Sequence, residues 1–255
     1  MHTLITGEKE GYYKDFGKLE DVAKSYKQAY VYDGIFSEFR KKRVGSNPKQ
    51  LSPSKFVVCI QNHDQVGNRM LGDRLTNLVS FENLKLAAGI MLTAPYVPML
   101  FMGEEFAEDR PFQYFVSHGD LSLVKAVQEG RKSEFQYFFQ QHKEEFPDPQ
   151  SEETFNRSKI NWDFKSNSKQ EIIFEYYKEM IRLRKKGAFD AFRNKNIHIE
   201  VDENCRWMTV FGEKNTRKVF AAFNFNSSRQ KIDLPKDEGW RSLITSADKK
   251  WGGPG

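Results

Sequence analysis

A dense group of hydrogen-bonding side chains lies at Asn62, His63, Asp64 and Gln65. A carboxylate accepts hydrogen bonds from neighbouring hydroxyl groups, and an imidazole or a side-chain amide can donate to another. This combination is typical of a site for a ligand that is rich in hydroxyl groups. The pair His63-Asp64 is also consistent with a hydrogen-bonded pair that only orders a loop, and spacing alone leaves both interpretations open.

Further side chains could contact the same ligand. Arg69 follows the first group and adds a guanidinium. The aromatic residues Phe112, Tyr114 and Phe115 either form a stacking platform for sugar rings or pack their own loop, and the sequence does not decide between these roles. The other histidines are scattered without metal-ligand spacing, so we predict no metal site.

Two short apolar runs precede the polar segments. Residues 55–61 (KFVVCIQ) and 97–102 (VPMLFM) are predicted to be buried parallel strands, joined by a helix from Ser80 to about Ala94. Ligand-binding residues of parallel α/β folds lie just past the carboxyl ends of the strands. We therefore expect the residues after both strands to meet at one end. Glu104 and Glu105, which follow the second strand, could act as acid or base, but a structural network at the strand end is the role that we expect.

The rest of the chain divides into a helical part and a β part. Apolar spacing predicts helices at residues 19–30 and 171–186, with less regular helices near 122–129 and 133–142. Residues 36–54 are predicted to be a loop. Strand-like runs then occupy residues 197–201, 206–211, 218–225, 230–234 and 240–244. We place a domain boundary so that residues 1–190 are α/β and residues 191–255 are all-β.

Charge and hydropathy limit the partners of the chain. The net charge of +5 comes from 40 basic and 35 acidic residues that are interspersed, which does not favour a nucleic-acid partner. The longest apolar region is broken by Lys85, Pro95 and Pro98, so no membrane span is predicted. Cys59 and Cys205 stand far apart and no leader is evident, which indicates the cytoplasm. The oligomeric state is not determined by the sequence.

Two segments resemble a known family. Residues 56–75 read FVVCIQNHDQVGNRMLGDRL and resemble the fourth motif region of the α-amylase superfamily of glycoside hydrolases. Residues 92–106 read LTAPYVPMLFMGEEF and resemble its eighth barrel strand with the preceding helix, although Ala94-Pro95 stands where many relatives have Pro-Gly. The two segments have the separation that this family leads us to expect.

Other segments narrow the resemblance. Residues 6–17 (TGEKEGYYKDFG) and 31–45 (VYDGIFSEFRKKRVG) resemble the members that release trehalose from maltooligosyltrehalose. Residues 176–186 resemble the last barrel helix, and the segment from about Asn196 resembles the C-terminal β domain. Glycogen-branching and debranching enzymes are the nearest alternatives, and a noncatalytic glucan-binding remnant is a further one.

The resemblance implies a fold class. The implied fold is the C-terminal part of a TIM (β/α)8 barrel followed by an antiparallel, β-sandwich-like domain, and both parts are expected to be incomplete. A whole barrel needs about 250 residues, more than the 190 that precede the β part. We therefore expect the chain to be a C-terminal fragment of a larger enzyme.

The resemblance also implies a reaction and residue roles. Retaining glycosidases use two carboxylates about 5 Å apart, and no segment before Phe56 matches the motifs that carry this pair in the family. Asp64 matches a third carboxylate, which stabilises the transition state. Members of the family require no metal or organic cofactor, so the resemblance implies that none is needed here. The remaining candidates are implied to bind a maltooligosaccharide-type substrate, directly or as supporting residues: His63, Asn62, Gln65, Arg69, Phe112, Tyr114 and Phe115.

Overall fold

The computed structural model describes residues 1–135, 146–193, 196–236 and 239–255. The helices are α1 His2–Thr6, α2 Leu19–Gln28, α3 His63–Gly67, α4 Leu75–Leu78, α5 Phe81–Thr93, α6 Leu121–Glu134, α7 Glu152–Arg157 and α8 Ser168–Lys185. The strands are β1 Asp33–Ser37, β2 Lys42–Gly45, β3 Val57–Val58, β4 Val97–Pro98, β5 His198–Asp202, β6 Trp207–Lys214 and β7 Arg217–Asn224. Most of the helix predicted near 133–142 falls outside the described residues. None of the helices within them has both the length and the apolar character needed to cross a membrane.

Strands β3 and β4 form a parallel pair with helix α5 between them in the chain. Val57 pairs with Val97, and the Val97 amide donates to the Phe56 carbonyl at 2.9 Å. The predicted strand–helix–strand order is thus confirmed, but the strands are two residues long. The prediction that both faces are buried is wrong, since Val57 is 63% and Val97 is 44% exposed. No third strand pairs with either one in the described residues, and the exposed Val57 and Val97, which are paired with each other, lie on the same face.

Helix α5 is the centre of the core. The Ser80 hydroxyl oxygen accepts a hydrogen bond from the Asn83 amide at 3.2 Å and caps the helix, as the sequence predicts. The helix ends at Thr93, because proline at position 95 disfavours helical geometry at the residue before it. Ala87 and Ala88 are fully buried, and α5 packs against α8. Helices α5 and α8 therefore contribute to one hydrophobic core, and Val58 of β3 packs against this core.

A β-hairpin lies where the sequence analysis predicts only a loop. Strands β1 and β2 pair antiparallel, with Phe36 opposite Arg43. The Asp15 carboxylate accepts hydrogen bonds from the Tyr32 hydroxyl at 2.7 Å, the Glu38 amide at 2.7 Å and the Ser37 hydroxyl. The prediction was wrong because these contacts come from a carboxylate far along the chain, whereas the hairpin itself is strongly charged and lacks the usual alternation.

The last part of the described chain contains a three-stranded antiparallel sheet in the order β5-β6-β7. This confirms three of the five predicted strand-like runs. The runs at 230–234 and 240–244 are not strands; instead, the Trp240 ring packs against Phe211 and Phe220 with centroid distances of 6.5 and 6.3 Å. The aromatic side chain thus contributes packing rather than pairing.

A buried lysine attaches the end of the chain to α5. The Lys85 side chain has no exposed surface, and its Nζ donates to the carbonyl oxygens of Ser246 and Trp251, each at 2.8 Å. The same Nζ lies 2.8 Å from the Glu82 carboxylate and over the Phe81 ring. Two carbonyl groups and one carboxylate thus depend on a single ammonium group.

Replacing this lysine should loosen the terminal segment. We expect Lys85→Met to lower the free energy of unfolding by about 2–4 kcal/mol, since it leaves buried carbonyl groups without a donor. Urea unfolding followed by circular dichroism measures this change, and limited proteolysis reports release of residues 245–255. Lys249→Met, at an exposed lysine of the same segment, should have little effect. Equal losses in both variants would contradict the anchoring role.

Candidate functional site

Helix α3 begins within the polar segment of residues 62–65, with Asn62 as its N-cap. The Asn62 side-chain oxygen accepts a hydrogen bond from the Gln65 amide at 2.8 Å and so caps the helix. The Asn62 side-chain nitrogen faces the Cys59 sulfur at 3.8 Å. Local capping therefore turns the chain immediately after the strand and places His63 and Asp64 in the first helical turn. Contact between Asn62 and a substrate remains a prediction.

His63 and Asp64 form an exposed pair at the carboxyl end of β3. Their side chains are 71% and 76% exposed, and His63 Nε2 lies 3.4 Å from Asp64 Oδ1. A pair this open contributes little to stability, because solvent screens it. Most of the hydrogen-bonding capacity of the carboxylate is therefore left for a ligand, and the imidazole beside it can donate to the same ligand.

Gln65 and Arg69 are more enclosed than a direct sugar contact requires. Gln65 Oε1 is shielded from solvent and accepts no hydrogen bond within the described residues. The Arg69 guanidinium donates to both Glu8 oxygens, at 2.8 and 2.9 Å, and its Nε lies 3.8 Å from Asp73. The structure thus gives Arg69 an anchoring contact, and substrate binding by these two residues remains a prediction.

The Arg69 anchor joins the site loop to the beginning of the chain. Burial alone would raise the pKa of Glu8, but hydrogen bonds from Arg69 and His2 lower it below its usual value. The His2 ring also stacks on Tyr13, with centroids 4.6 Å apart. A bidentate pair of this kind fixes both distance and orientation. It restrains the segment that follows Asp64.

The predicted aromatic group is mostly packed. The Phe112 ring meets Phe101 edge-on at 5.2 Å and Phe115 at 5.8 Å, and Phe115 continues to Phe155 at 5.2 Å. Tyr114 is more exposed, and the Arg131 guanidinium lies 4.7 Å from its ring centroid. Among the open interpretations, loop packing suits Phe112 and Phe115, while a stacking role is geometrically simpler for Tyr114.

Close backbone approach holds this aromatic loop against the site loop. The Phe112 amide donates to the Gly72 carbonyl at 2.8 Å. Gly72 has φ +70°, and a Cβ there would lie 2.5 Å from the Phe112 carbonyl oxygen. Only glycine fits both the conformation and the space. The loops that follow β3 and β4 therefore lie in direct contact.

Two buried arginines hold these loops, and the sequence analysis assigned neither a role. Arg74 is almost fully buried and donates to the carbonyl oxygens of Arg110 and Met102, each at 2.8 Å. Arg131 donates to the carbonyl of Gly67, the last residue of α3, at 3.2 Å. Arginine is seldom buried without a partner, and here the carbonyl partners, which are remote in sequence, make burial favourable.

Glu104 is buried behind the site. It is 5% exposed, and its Oε1 accepts a hydrogen bond from the Tyr177 hydroxyl at 3.1 Å. Burial raises the pKa of Glu104 to about 8, and the hydrogen bonds from Tyr177 and Gln61 oppose the rise only in part. The Gln61 oxygen accepts from the Leu75 amide at 3.1 Å. This arrangement agrees with the expected network at the strand ends.

Comparisons with known proteins give related sequences. Models of protein families give no match. The chain is 42% identical over 212 residues to malto-oligosyltrehalose trehalohydrolase from Saccharolobus solfataricus, covering 83% of this chain and 35% of the relative. It is 44% identical over 252 residues to the Brevibacterium helvolum protein of the same name, covering 98% of this chain and 41% of the relative. The chain thus spans less than half the length of either relative.

A solved structure supports the same relationship. A Salmonella typhimurium protein, provisionally named an alpha amylase and determined at 1.4 Å resolution, superposes with a TM-score of 0.80 at 33% identity. The match covers 95% of this chain and 42% of that one. The resemblance predicted from residues 56–75 and 92–106 is thereby confirmed, as is the order of an α/β part followed by an antiparallel sheet.

The buried glutamic acid gives a test of pH dependence. Its folded pKa of about 8 exceeds the ordinary 4.5, so the folded state holds the proton more tightly than the unfolded state does. This contribution to stability is complete below pH 4.5 and is lost as the pH rises to about 8. We therefore expect Glu104→Gln to remove this decline, so that the variant gains stability relative to the unchanged chain between about pH 5 and pH 8.

Chemical unfolding at a series of pH values measures the effect. Glu105→Gln is the matched control, because it removes a neighbouring carboxyl that is less buried. The control should keep the decline in stability. A decline of the same size in Glu104→Gln would show that this carboxyl does not hold a proton in the folded chain.

Proposed function

By sequence, this chain belongs with the malto-oligosyltrehalose trehalohydrolases, of which it spans 35% and 41% in the two relatives named above, and we propose that it supplies part of the active site of such an enzyme. The whole enzyme would hydrolyse the α-1,4 bond next to the terminal trehalose unit of maltooligosyltrehalose and release trehalose. The observation that carries this proposal is the exposed pair His63 and Asp64 at the carboxyl end of β3.

Asp64 has the geometry of a residue that holds the reacting sugar. Its carboxylate is open to solvent, while the loop around it is fixed by the Asn62 cap and the Arg69–Glu8 pair. Hydrogen bonds to sugar hydroxyls that strengthen in an oxocarbenium-like transition state are worth several kcal/mol. We propose that Asp64 accepts such bonds from neighbouring hydroxyls and that His63 donates one beside it.

Bond cleavage itself is assigned to other carboxyl groups. A retaining mechanism requires a nucleophile and a general acid about 5 Å apart, on opposite sides of the bond. Glu104 has the raised pKa that would suit a general acid. However, its side chain is buried and accepts a hydrogen bond from Tyr177, so it is not positioned to contact a substrate. We therefore propose that Glu104 supports the site loop.

The proposal extends to the architecture. The parallel pair and its helices would be the last part of a TIM barrel, and the three-stranded sheet would begin the C-terminal β-sandwich-like domain. We propose a boundary near residue 190, because α8 ends at Lys185 and β5 begins at His198. A maltooligosaccharide-type substrate and a cytoplasmic location belong to the same proposal.

A chimeric enzyme tests the role of Asp64. In the Brevibacterium helvolum relative, the region that matches this chain over 252 residues would be replaced by this chain. We expect trehalose release from maltooligosyltrehalose, and a fall in kcat/KM of about 100-fold or more in Asp64→Asn, since transition-state contacts worth several kcal/mol are lost. Asp109→Asn, at an exposed acidic residue in the segment after β4, should keep most of the activity.

Each outcome of the chimera experiment has a clear meaning. Activity retained in Asp64→Asn would remove this residue from the catalytic machinery. A folded chimera that branches or debranches glucan without releasing trehalose would favour another α-amylase-type activity. Circular dichroism of each variant separates loss of catalysis from loss of folding.

The 255-residue chain alone should release no trehalose, because Asp64 by itself is neither nucleophile nor general acid in this proposal. Purified chain would be incubated with maltooligosyltrehalose, and trehalose would be measured by chromatography. The active chimera serves as the positive control. Turnover by the chain alone, abolished in Asp64→Asn, would show that the complete site is present and would overturn our assignment of roles.

A further inference from the structure

A cavity of about 270 Å³ lies at the amino ends of β3 and β4, away from His63 and Asp64 at the carboxyl end. Phe56 and Tyr96, which directly precede the two strands, contribute to its wall. Its other sides come from the end of α2, the segment before β3 and the segment after α8. The cavity therefore brings together parts of the chain that are far apart in sequence.

The aromatic wall of the cavity is fixed in place. The Phe56 and Tyr96 rings meet edge to face, with centroids 5.9 Å apart and an interplanar angle of 81°. The Tyr96 hydroxyl accepts from the Ala29 amide at 2.6 Å and donates to the Tyr26 carbonyl at 3.0 Å. Because both hydrogen-bonding functions of this hydroxyl are used, the ring is held in one orientation. A ligand would meet a preformed apolar surface.

The charged residues of the lining are all basic. Lys27, Lys49 and Arg193 contribute to it, and no acidic residue does so in the described part of the chain. Arg193 is partly compensated, since its Nε lies 3.5 Å from Asp190. Lys27 and Lys49 form no ion pair with any described residue. A concave surface lined by one sign of charge concentrates its field and attracts a ligand of opposite charge.

We propose that this cavity binds a small organic anion that combines a phosphate group with a flat ring, of about the size of a mononucleotide. Lysine and arginine bind phosphate oxygens through charge-assisted hydrogen bonds, and the aromatic wall receives the ring. The volume is near the lower limit of ligand pockets, which suits one such molecule rather than a long glucan. A neutral glucan would not gain the charge-assisted hydrogen bonds that a phosphate group forms with these cationic groups.

Binding to the 255-residue chain tests this proposal without any measurement of catalysis. Isothermal titration calorimetry at low ionic strength would use adenosine monophosphate as the probe, with adenosine and inorganic phosphate as the two partial probes. We expect adenosine monophosphate to bind at least tenfold more tightly than either part, because only it engages both the charged groups and the aromatic wall. It should also raise the melting temperature of the chain.

Charge reversal locates the binding site. Lys27→Glu and Lys49→Glu should each weaken adenosine monophosphate binding about tenfold or more, while the control Lys231→Glu, at an exposed lysine outside the cavity, should not. Two separate variants and circular dichroism guard against an effect of misfolding. No binding at millimolar probe, equal binding of adenosine or of phosphate alone, or binding unchanged in both cavity variants would each overturn the proposal.

Discussion

The buried guanidinium of Arg74 is the contact on which the arrangement of the site depends. It donates to the carbonyl oxygens of Met102 and Arg110, and it lies 4.8 Å from the Phe101 ring centroid. It therefore ties the loop after β3 to the segment after β4. Hydrogen bonds to a charged group contribute about 1.5–3 kcal/mol each, so this contact outweighs the exposed ion pairs around it. Asp64 can remain exposed because these buried contacts fix the loop that carries it.

This buried charge also explains the acidic residues that follow β4. Burial lowers the pKa of Arg74, and the negative fields of Glu108 and Glu104 act in the opposite direction. Glu108 is almost fully buried and accepts hydrogen bonds from the amides of Arg110 and Asn161, at 3.0 and 2.5 Å. Acidic residues at this strand end thus compensate a positive charge and order backbone amides. Their position next to a site does not by itself make them catalytic.

The parts that the sequence predicted well are those determined by local patterns. Helix α5 has its cap and its stop within a few residues of its ends, and the site segment begins a few residues after β3 ends. The hairpin and the role of Arg69 depended on Asp15 and Glu8, whose partners lie far along the chain. A strongly charged sequence gives no local sign of such contacts. Strand length and burial failed for a related reason, since they depend on neighbours that local periodicity does not specify.

Asp64 and Glu104 show how the environment separates the roles of two carboxyl groups at neighbouring strand ends. The first is open to water, where its oxygens are free to accept hydrogen bonds from a ligand. The second is enclosed beside Tyr177, where burial favours the neutral acid. The contrast in burial therefore supports a division of labour in which one carboxyl group meets the ligand and the other maintains the loop that presents it.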